Sequence, residues 1–153
     1  MTSSETTYSD LFSMSISLVY IIPISLFLIT REKSHIISFI GVTIITILSE
    51  SLKYFIFGQN FKRPQGAKNC NYLCNDGNQA GRPGMPSSHS AEATFFASFY
   101  FSQTSNIYIR IGLILYAMGV MISRYIKKCH TVEQIVVGSL LGLSGSLFTV
   151  RLL

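Results

Sequence analysis

The sequence predicts an all-α, polytopic membrane protein built as a bundle of about five transmembrane helices. Apolar residues make up 48% of the 153-residue chain, mean hydropathy is +0.41, and only 12% of residues are charged. Soluble domains carry about a quarter charged residues, so this composition excludes an ordinary soluble domain. The length suits one membrane-embedded domain, which we assign to residues 11–153, after a polar N-terminal tail at residues 1–10.

The five helices are predicted from apolar runs with few charges. Segment 11–30 has no charged residue, and its length of about 20 residues crosses a ~30 Å hydrocarbon core. No basic flank precedes it, as one would in a signal peptide, so we expect a retained helix, with Asp10 as its cap. The other runs cover about residues 36–57, 90–101, 107–123 and 131–150.

Two local patterns predict contacts inside the bundle. Glu50 and Lys53 are the charged residues of the second run, and their i,i+3 spacing predicts an ion pair on one helix face. Gly138 and Gly142 in the last run have the small-xxx-small spacing that is typical of close helix packing.

The loops predict where functional groups gather. Residues 58–88 interrupt the apolar pattern and are rich in Gly, Asn, Pro and basic residues. Short connectors at 31–35 and 102–106 join the first helix to the second and the third to the fourth. Because successive helices alternate in direction, segments 58–88 and 124–130 are predicted to lie together at the opposite membrane face.

Three clusters of cations and histidines are predicted to meet at that face. They are Lys53 with Lys62-Arg63-Pro64, the segment GMPSSHS that contains His89, and Ser123-Arg124 followed by His130, Thr131 and Gln134. Phosphoryl transfer needs cations for the phosphate oxygens, a nucleophile in line with phosphorus, and an acid for the leaving group. Arginine binds phosphate oxygens in pairs, and histidine titrates near neutrality. The residues alone therefore indicate phosphate chemistry on a membrane lipid.

The motifs resemble those of the phosphatidic-acid-phosphatase type 2 superfamily, whose pattern is K-x6-R-P, then P-S-G-H, then S-R-x5-H-x3-D. GMPSSHS and S-R-Y-x4-H-T-x2-Q-x3-G are most similar to the dolichyl diphosphatase branch, and the resemblance covers roughly residues 50–142. It implies an integral membrane enzyme that hydrolyses the phosphoanhydride of a polyisoprenyl diphosphate to the monophosphate and phosphate. It implies no metal and no cofactor.

The resemblance also implies a role for each matching residue. His130 is the implied nucleophile, which forms a phosphohistidine, and His89 is the acid that protonates the leaving group. Gln134 is the residue that orients the nucleophile. The residues expected to bind substrate phosphate are Lys53, Arg63, Ser87, Ser88 and Arg124, of which Arg124 is also counted as catalytic.

The first two motifs depart from the family pattern. Nine residues separate Lys53 from Arg63, where the family has six, and the three extra residues are nearly one helical turn. Lys53 can therefore point to the same side of the helix as the family lysine while it lies one turn deeper in the membrane. Lys62 is the alternative lysine. Ser88 replaces the family glycine, as it does in the dolichyl diphosphatase branch.

The third motif has Gln134 where most of the superfamily has aspartate. Positions 130 and 134 share one helix face, so the Gln134 carbonyl can accept the Nδ1–H of His130. Glu133 is an alternative source of negative charge beside the imidazole. The dolichyl diphosphatase pattern also has glutamine here, so we interpret Gln134 as a subgroup feature.

The cysteines and flanking charges bear on membrane orientation. Cys70 and Cys74 can form a disulfide if the site faces an oxidising compartment, which the sequence leaves open, and Cys129 is interpreted as a bystander. Acidic residues before the first helix and basic residues after it favour a cytoplasmic 31–35 connector. The site then lies on the lumenal or extracytoplasmic face, in an endomembrane of the endoplasmic reticulum type.

Two alternatives remain open at this point. The first is a phosphatase of phosphatidic acid or related lipid phosphates, since monoesters and diphosphates need similar cations. The second is a catalytically inactive membrane protein that binds anionic lipid through the same cations. In each case the expected partners are a lipid phosphate or diphosphate and the bilayer, with no nucleic acid. Self-association into a homo-oligomer is a further way to complete the bundle.

Overall fold

A computed structural model describes the backbone of residues 3–153 and the side chains of residues 8–153. Its helices are α1 (Ser3–Met14), α2 (Leu18–Thr30), α3 (Lys33–Ser51), α4 (Ser88–Gln103), α5 (Ile107–Ile126) and α6 (Val132–Arg151). A 3₁₀ turn at Ser15–Ser17 joins α1 to α2, so these two helices form one continuous rod. The predicted all-α membrane bundle is confirmed.

Four segments of the described chain are long and apolar enough to cross a membrane. They are Tyr8–Thr30, Lys33–Asn60, Ile107–Ile126 and Val132–Arg151. Helix α4 is the exception, because its 16 residues span only about 24 Å. It lies inside the bundle, against α3, α5 and α6, and its Phe95 and Phe99 are fully buried. The third predicted helix is therefore a short central helix that the longer ones surround.

The start of the chain differs from the prediction. Helix α1 begins within the segment 1–10 that the sequence predicts as a tail, and Asp10 lies inside this helix. The predicted helix cap is therefore wrong, and the Asp10 carboxylate instead forms an ion pair with Lys127. Ser9 and Ser13 are buried on either side of Asp10, which shows why the helix continues through a polar stretch.

Close packing of α4 on α6 depends on glycine. A Cβ atom on Gly138 would overlap the backbone oxygen of Ser87, and one on Gly142 would overlap that of Ala91. The predicted role of these glycines in helix packing is confirmed. The contact sets the first turn of α4, where the GMPSSHS motif ends, directly against the first turns of α6.

The loop between α3 and α4 folds over the end of the bundle and is cross-linked there. Cys70 forms a disulfide with Cys129, with their Cα atoms 5.5 Å apart, and Cys74 is free. The Cys70–Cys74 pairing that the sequence left open is therefore not formed, and Cys129, interpreted as a bystander, is a structural residue. Cys70 is buried against the α5–α6 turn, whereas the Cys74 Sγ lies 2.9 Å from Lys127 Nζ.

Candidate active site

A π-helical segment at the end of α3 places the lysine of the first motif. Residues Leu52–Phe57 are π-helical and are followed by a 3₁₀ turn at Gly58–Asn60. This local change in winding accommodates the long spacing between Lys53 and Arg63, and π segments occur often at functional sites. Lys53 is 2% exposed, whereas the side chain of Lys62 is exposed and lies outside the cavity.

The Lys53 ammonium is held by one residue of α3 and one residue of α4. It forms the predicted ion pair with Glu50, and it donates a hydrogen bond of 2.8 Å to the Ser88 hydroxyl. Ser88 also donates to the Glu50 carboxylate. The serine that replaces the family glycine therefore connects α3 to the first turn of α4.

The motif side chains line one end of a cavity of about 610 Å³. This polar end contains Lys53, Arg63, Ser88, His89 and His130. Apolar side chains from the Ser15–Ser17 turn and α2, polar groups deeper in the bundle and residues of the 70–76 loop line the remainder. The cavity therefore extends from cationic and imidazole groups toward the apolar interior, as a bound lipid phosphate requires.

His130 is oriented by two acceptors on its Nδ1 atom. This nitrogen lies 2.9 Å from the backbone oxygen of Gly84 and 3.2 Å from Oε1 of Gln134. Both oxygens can only accept, so the proton of the neutral ring is on Nδ1 and Nε2 carries the lone pair. Burial, with contributions from Arg124 and Arg63, holds the pKa of His130 well below its ordinary value of 6.5. The ring is therefore neutral at pH 7, with an unprotonated Nε2.

Gln134 connects the nucleophile to the Arg63 loop. Its Oε1 also accepts from the backbone N–H of Thr131 at 3.2 Å, which completes a capping box at the start of α6. Its Nε2 donates to the backbone oxygens of Phe61 and Lys62 at 3.3 and 3.0 Å. An aspartate could not make the two donor contacts. Glu133, the alternative source of charge, is exposed and outside the cavity.

Three nitrogen atoms of the motif residues are buried without a hydrogen-bond partner. Among the described side chains these are Nη1 of Arg63, Nε2 of His89 and Nε of Arg124, and the part of the chain described here has no other such nitrogen. Buried polar groups are nearly always paired, and each exception needs an explanation. Arg63 and His89 line the cavity, where a bound anion can supply the missing partner of each.

Two predicted phosphate ligands lie behind the cavity wall rather than on it. Arg124 is fully buried and donates to the Ser13 hydroxyl and to the backbone oxygen of Cys70. Ser87 caps α4, and its hydroxyl accepts from the backbone N–H and the hydroxyl of Ser90 at 3.4 and 2.9 Å. Arg124 and Ser87 therefore support the site through their neighbours in this structure.

The cavity also contains polar residues that the sequence reasoning missed. Tyr20, Thr46 and Glu92 line it on the apolar side of Lys53. The available signal was Glu92, which is the only acidic residue between Asp76 and Glu133. No cluster of three metal-ligating side chains occurs within residues 8–153.

Comparison with known proteins assigns the chain to a family. A family model described as the PAP2 superfamily matches residues 34–153, which contain every motif residue above. No curated protein and no solved structure gives a significant match.

Proposed function

The chain belongs to the PAP2 superfamily, whose members are phosphatases of lipid phosphates, and we propose that it hydrolyses such a lipid through a phosphohistidine. The observation that carries this proposal is the pair of unpaired nitrogens on Arg63 and His89, in the wall of a cavity that also contains Lys53 and His130. The resemblance of GMPSSHS and Gln134 to the dolichyl diphosphatase pattern indicates a polyisoprenyl diphosphate as the substrate.

The proposed reaction proceeds in two displacements at phosphorus. Nε2 of His130 attacks the terminal phosphorus, and the bond from that phosphorus to the bridging oxygen breaks. His89, which is protonated once the anionic substrate offsets the cations around it, donates a proton to the departing lipid monophosphate. Water then attacks the phosphohistidine, His89 takes the proton from that water, and phosphate leaves His130 unchanged.

Cations around the cavity neutralise the charge that develops in each displacement. Arg63 offers an unpaired Nη1 at the cavity wall, and Lys53 offers an ammonium that Glu50 and Ser88 hold in place. In a buried site such preorganised charges stabilise the transition state more strongly than they would in water. Arg124 adds positive charge from behind and keeps the Cys70 loop in place.

The disulfide supports the proposed orientation of the enzyme. Disulfides persist in oxidising compartments and are rare on the cytosolic side, and the Cys70–Cys129 bond lies at the site end of the bundle. We therefore place the site on the lumenal or extracytoplasmic face of an endomembrane. Cleavage by an impermeant protease in sealed vesicles, mapped to the 58–88 loop or to the 31–35 connector, tests this placement.

A second substrate class is favoured by a specific observation. The carboxyl of Glu92 lies in the cavity with the hydroxyls of Tyr20 and Thr46, and a polyisoprenyl chain has no polar atoms to meet them. Phosphatidic acid and related lipid monophosphates carry polar groups next to the phosphate. They are the second candidate.

Phosphate release from purified protein tests the activity and separates the substrates. We expect turnover of dolichyl diphosphate or phosphatidic acid in EDTA, and trapping of a ³²P-labelled phosphohistidine in the wild type. His130→Ala should lower kcat by at least about 10³-fold.

Lys53→Met should lower kcat/KM, while the matched variant Lys62→Met should not. Undiminished turnover in His130→Ala would overturn the nucleophile assignment. Lipid binding without turnover of any substrate would favour the inactive binding protein.

A further inference from the structure

A second polar cluster lies deeper in the same cavity and has no role in the proposed chemistry. Glu92 on α4 is 5% exposed and lines the cavity. The Thr46 hydroxyl of α3 lies 2.9 Å from Oε1 of Glu92, and the Tyr20 hydroxyl of α2 is hydrogen-bonded to Thr46. Three separate helices therefore bring these groups to one point in the cavity wall.

The cluster lies about one helical turn below the phosphate end. Ser88 and Glu92 are four residues apart on α4, and Glu50 and Thr46 are four residues apart on α3. Ser88 bonds to Glu50, and Glu92 bonds to Thr46, so the two pairs form parallel contacts between these antiparallel helices. Four residues of helix rise about 6 Å, which separates the cluster from the Lys53 end.

The carboxyl of Glu92 has too few hydrogen-bond donors within the protein. The single Thr46 proton is shared between Glu92 Oε1 and the backbone oxygen of Val42, each 2.9 Å away. A carboxyl group offers about four acceptor positions, and within residues 8–153 the one donor besides Thr46 that reaches it is the Tyr20 hydroxyl. Because the deficit faces a cavity, a ligand donor can fill it.

The surroundings of the cluster argue against a purely structural role. Ile16 and Ile21 line the cavity beside it, and an ionisable group in an apolar membrane bundle is costly. Helix contacts in membranes are made more cheaply by serine, threonine or small residues. A carboxyl group in a cavity wall is therefore better explained by a ligand that enters the cavity.

We propose that Glu92, together with Thr46 and Tyr20, binds a hydrogen-bond donor that the substrate lipid carries next to its phosphate. The donor is a hydroxyl or ammonium on a carbon adjoining the phosphate ester, because a few covalent bonds cover the distance from the phosphate end to the cluster. This inference rests on the proposed lipid phosphatase function. Within the second substrate class it favours lipid monophosphates with a free hydroxyl or ammonium over phosphatidic acid, whose glycerol oxygens are esterified and donate no hydrogen bond.

Two single-chain lipids of equal length test the proposal. Sphinganine 1-phosphate carries an amine and a hydroxyl beside its phosphate, whereas octadecyl phosphate carries neither. Hydrogen bonds to a charged group predict a kcat/KM that is roughly 10- to 100-fold higher for sphinganine 1-phosphate. Glu92→Leu should reduce this ratio to about one and retain turnover of octadecyl phosphate. Thr46→Val should reduce the ratio partly, and Glu133→Gln, which removes an exposed carboxylate of α6, should leave it unchanged.

Three outcomes overturn the inference. The first is equal turnover of the two lipids by the wild type. The second is a ratio of kcat/KM values that Glu92→Leu leaves unchanged. The third is an equal loss of turnover for both lipids in Glu92→Leu and in Glu92→Gln. The affinities of both lipids are also measured on His130→Ala, so that the test does not depend on catalysis. If the wild type hydrolyses neither these two lipids nor dolichyl diphosphate, the proposed function fails, whereas tighter binding of sphinganine 1-phosphate that Glu92→Leu abolishes still supports the subsite.

Discussion

Gln134→Glu is an informative change because glutamine and glutamate have the same size and differ in one amide nitrogen. That nitrogen donates to the backbone oxygens of Phe61 and Lys62 at 3.3 and 3.0 Å. The other side-chain atom, Oε1, accepts from Thr131 and faces Nδ1 of His130. Glutamate retains the acceptor toward the nucleophile and loses both donors toward the loop.

Two opposing effects decide the result. A negative charge would stabilise the His130 imidazolium, as the aspartate of the superfamily pattern does. Against this, the backbone oxygen of Lys62 would lose the donor that the buried Gln134 side chain supplies, at a cost of about 1–3 kcal/mol, while the backbone oxygen of Phe61 would keep the N–H of Gly84 at 2.8 Å. A loss of roughly 1–3 kcal/mol is a large fraction of a typical stability of about 5–15 kcal/mol. We therefore expect Gln134→Glu to destabilise the protein and to reduce its turnover.

Thermal unfolding in detergent and phosphate release, measured on the same preparations, test this prediction. The matched control is Gln103→Glu, because Gln103 is exposed at the end of α4 and its side chain has one long contact of 3.4 Å, with Ser102. Gln134→Glu should unfold well below both the wild type and the control. Equal stability of the three proteins, with turnover unchanged or increased in Gln134→Glu, would refute the reasoning.

Three other predictions concern the nucleophile, the cross-link and the helix contact. Burial and neighbouring cations lower the pKa of His130, so the neutral form persists on the acid side and kcat/KM should fall only below pH 6.5, after correction for substrate ionisation. Cys129→Ser should lose roughly 4 kcal/mol of stability together with activity, whereas Cys74→Ser should behave as the wild type. Gly138→Ala should cost about 1–3 kcal/mol by overpacking, while Gly112→Ala, whose Cβ would meet nothing within 4 Å, should be tolerated.

Each of these predictions has a clear contrary result. An acid limb of kcat/KM centred above pH 6.5 would contradict a lowered pKa of His130. Activity of Cys129→Ser equal to that of Cys74→Ser would show that the cross-link does not support the site. Equal unfolding temperatures of Gly138→Ala and Gly112→Ala would show that the α4–α6 contact can relax.

Much of the fold was predictable because its signals are local. Apolar runs and short connectors predicted the helices, and i,i+3 or i,i+4 spacing predicted the Lys53–Glu50 pair and the contact of Gln134 with His130. The glycines of α6 predicted close packing for the same reason. These contacts depend on one helix and its period, which the sequence displays directly.

The remainder depends on how distant segments meet. The partner of Cys70 lies 59 residues away, and only the path of the loop decides between Cys74 and Cys129. Arg124 could be identified from its motif, but its contacts with Ser13 and the Cys70 carbonyl require α1 and the loop to be in place. The cluster around Glu92 likewise exists only after three helices have packed.

The disulfide has a consequence for how a lipid reaches the site. It joins the α3–α4 loop to the α5–α6 turn, so it closes a covalent ring that contains α4 and α5. The bond holds the loop at Cys70 against the C-terminal end of α5 at the site end. The cavity wall on the other side is formed by residues such as Ser17 and Ile21, which no cross-link restrains. We therefore expect lipids to enter and leave sideways from the bilayer, between α2 and α3, while the disulfide holds the loop against the turn that carries His130.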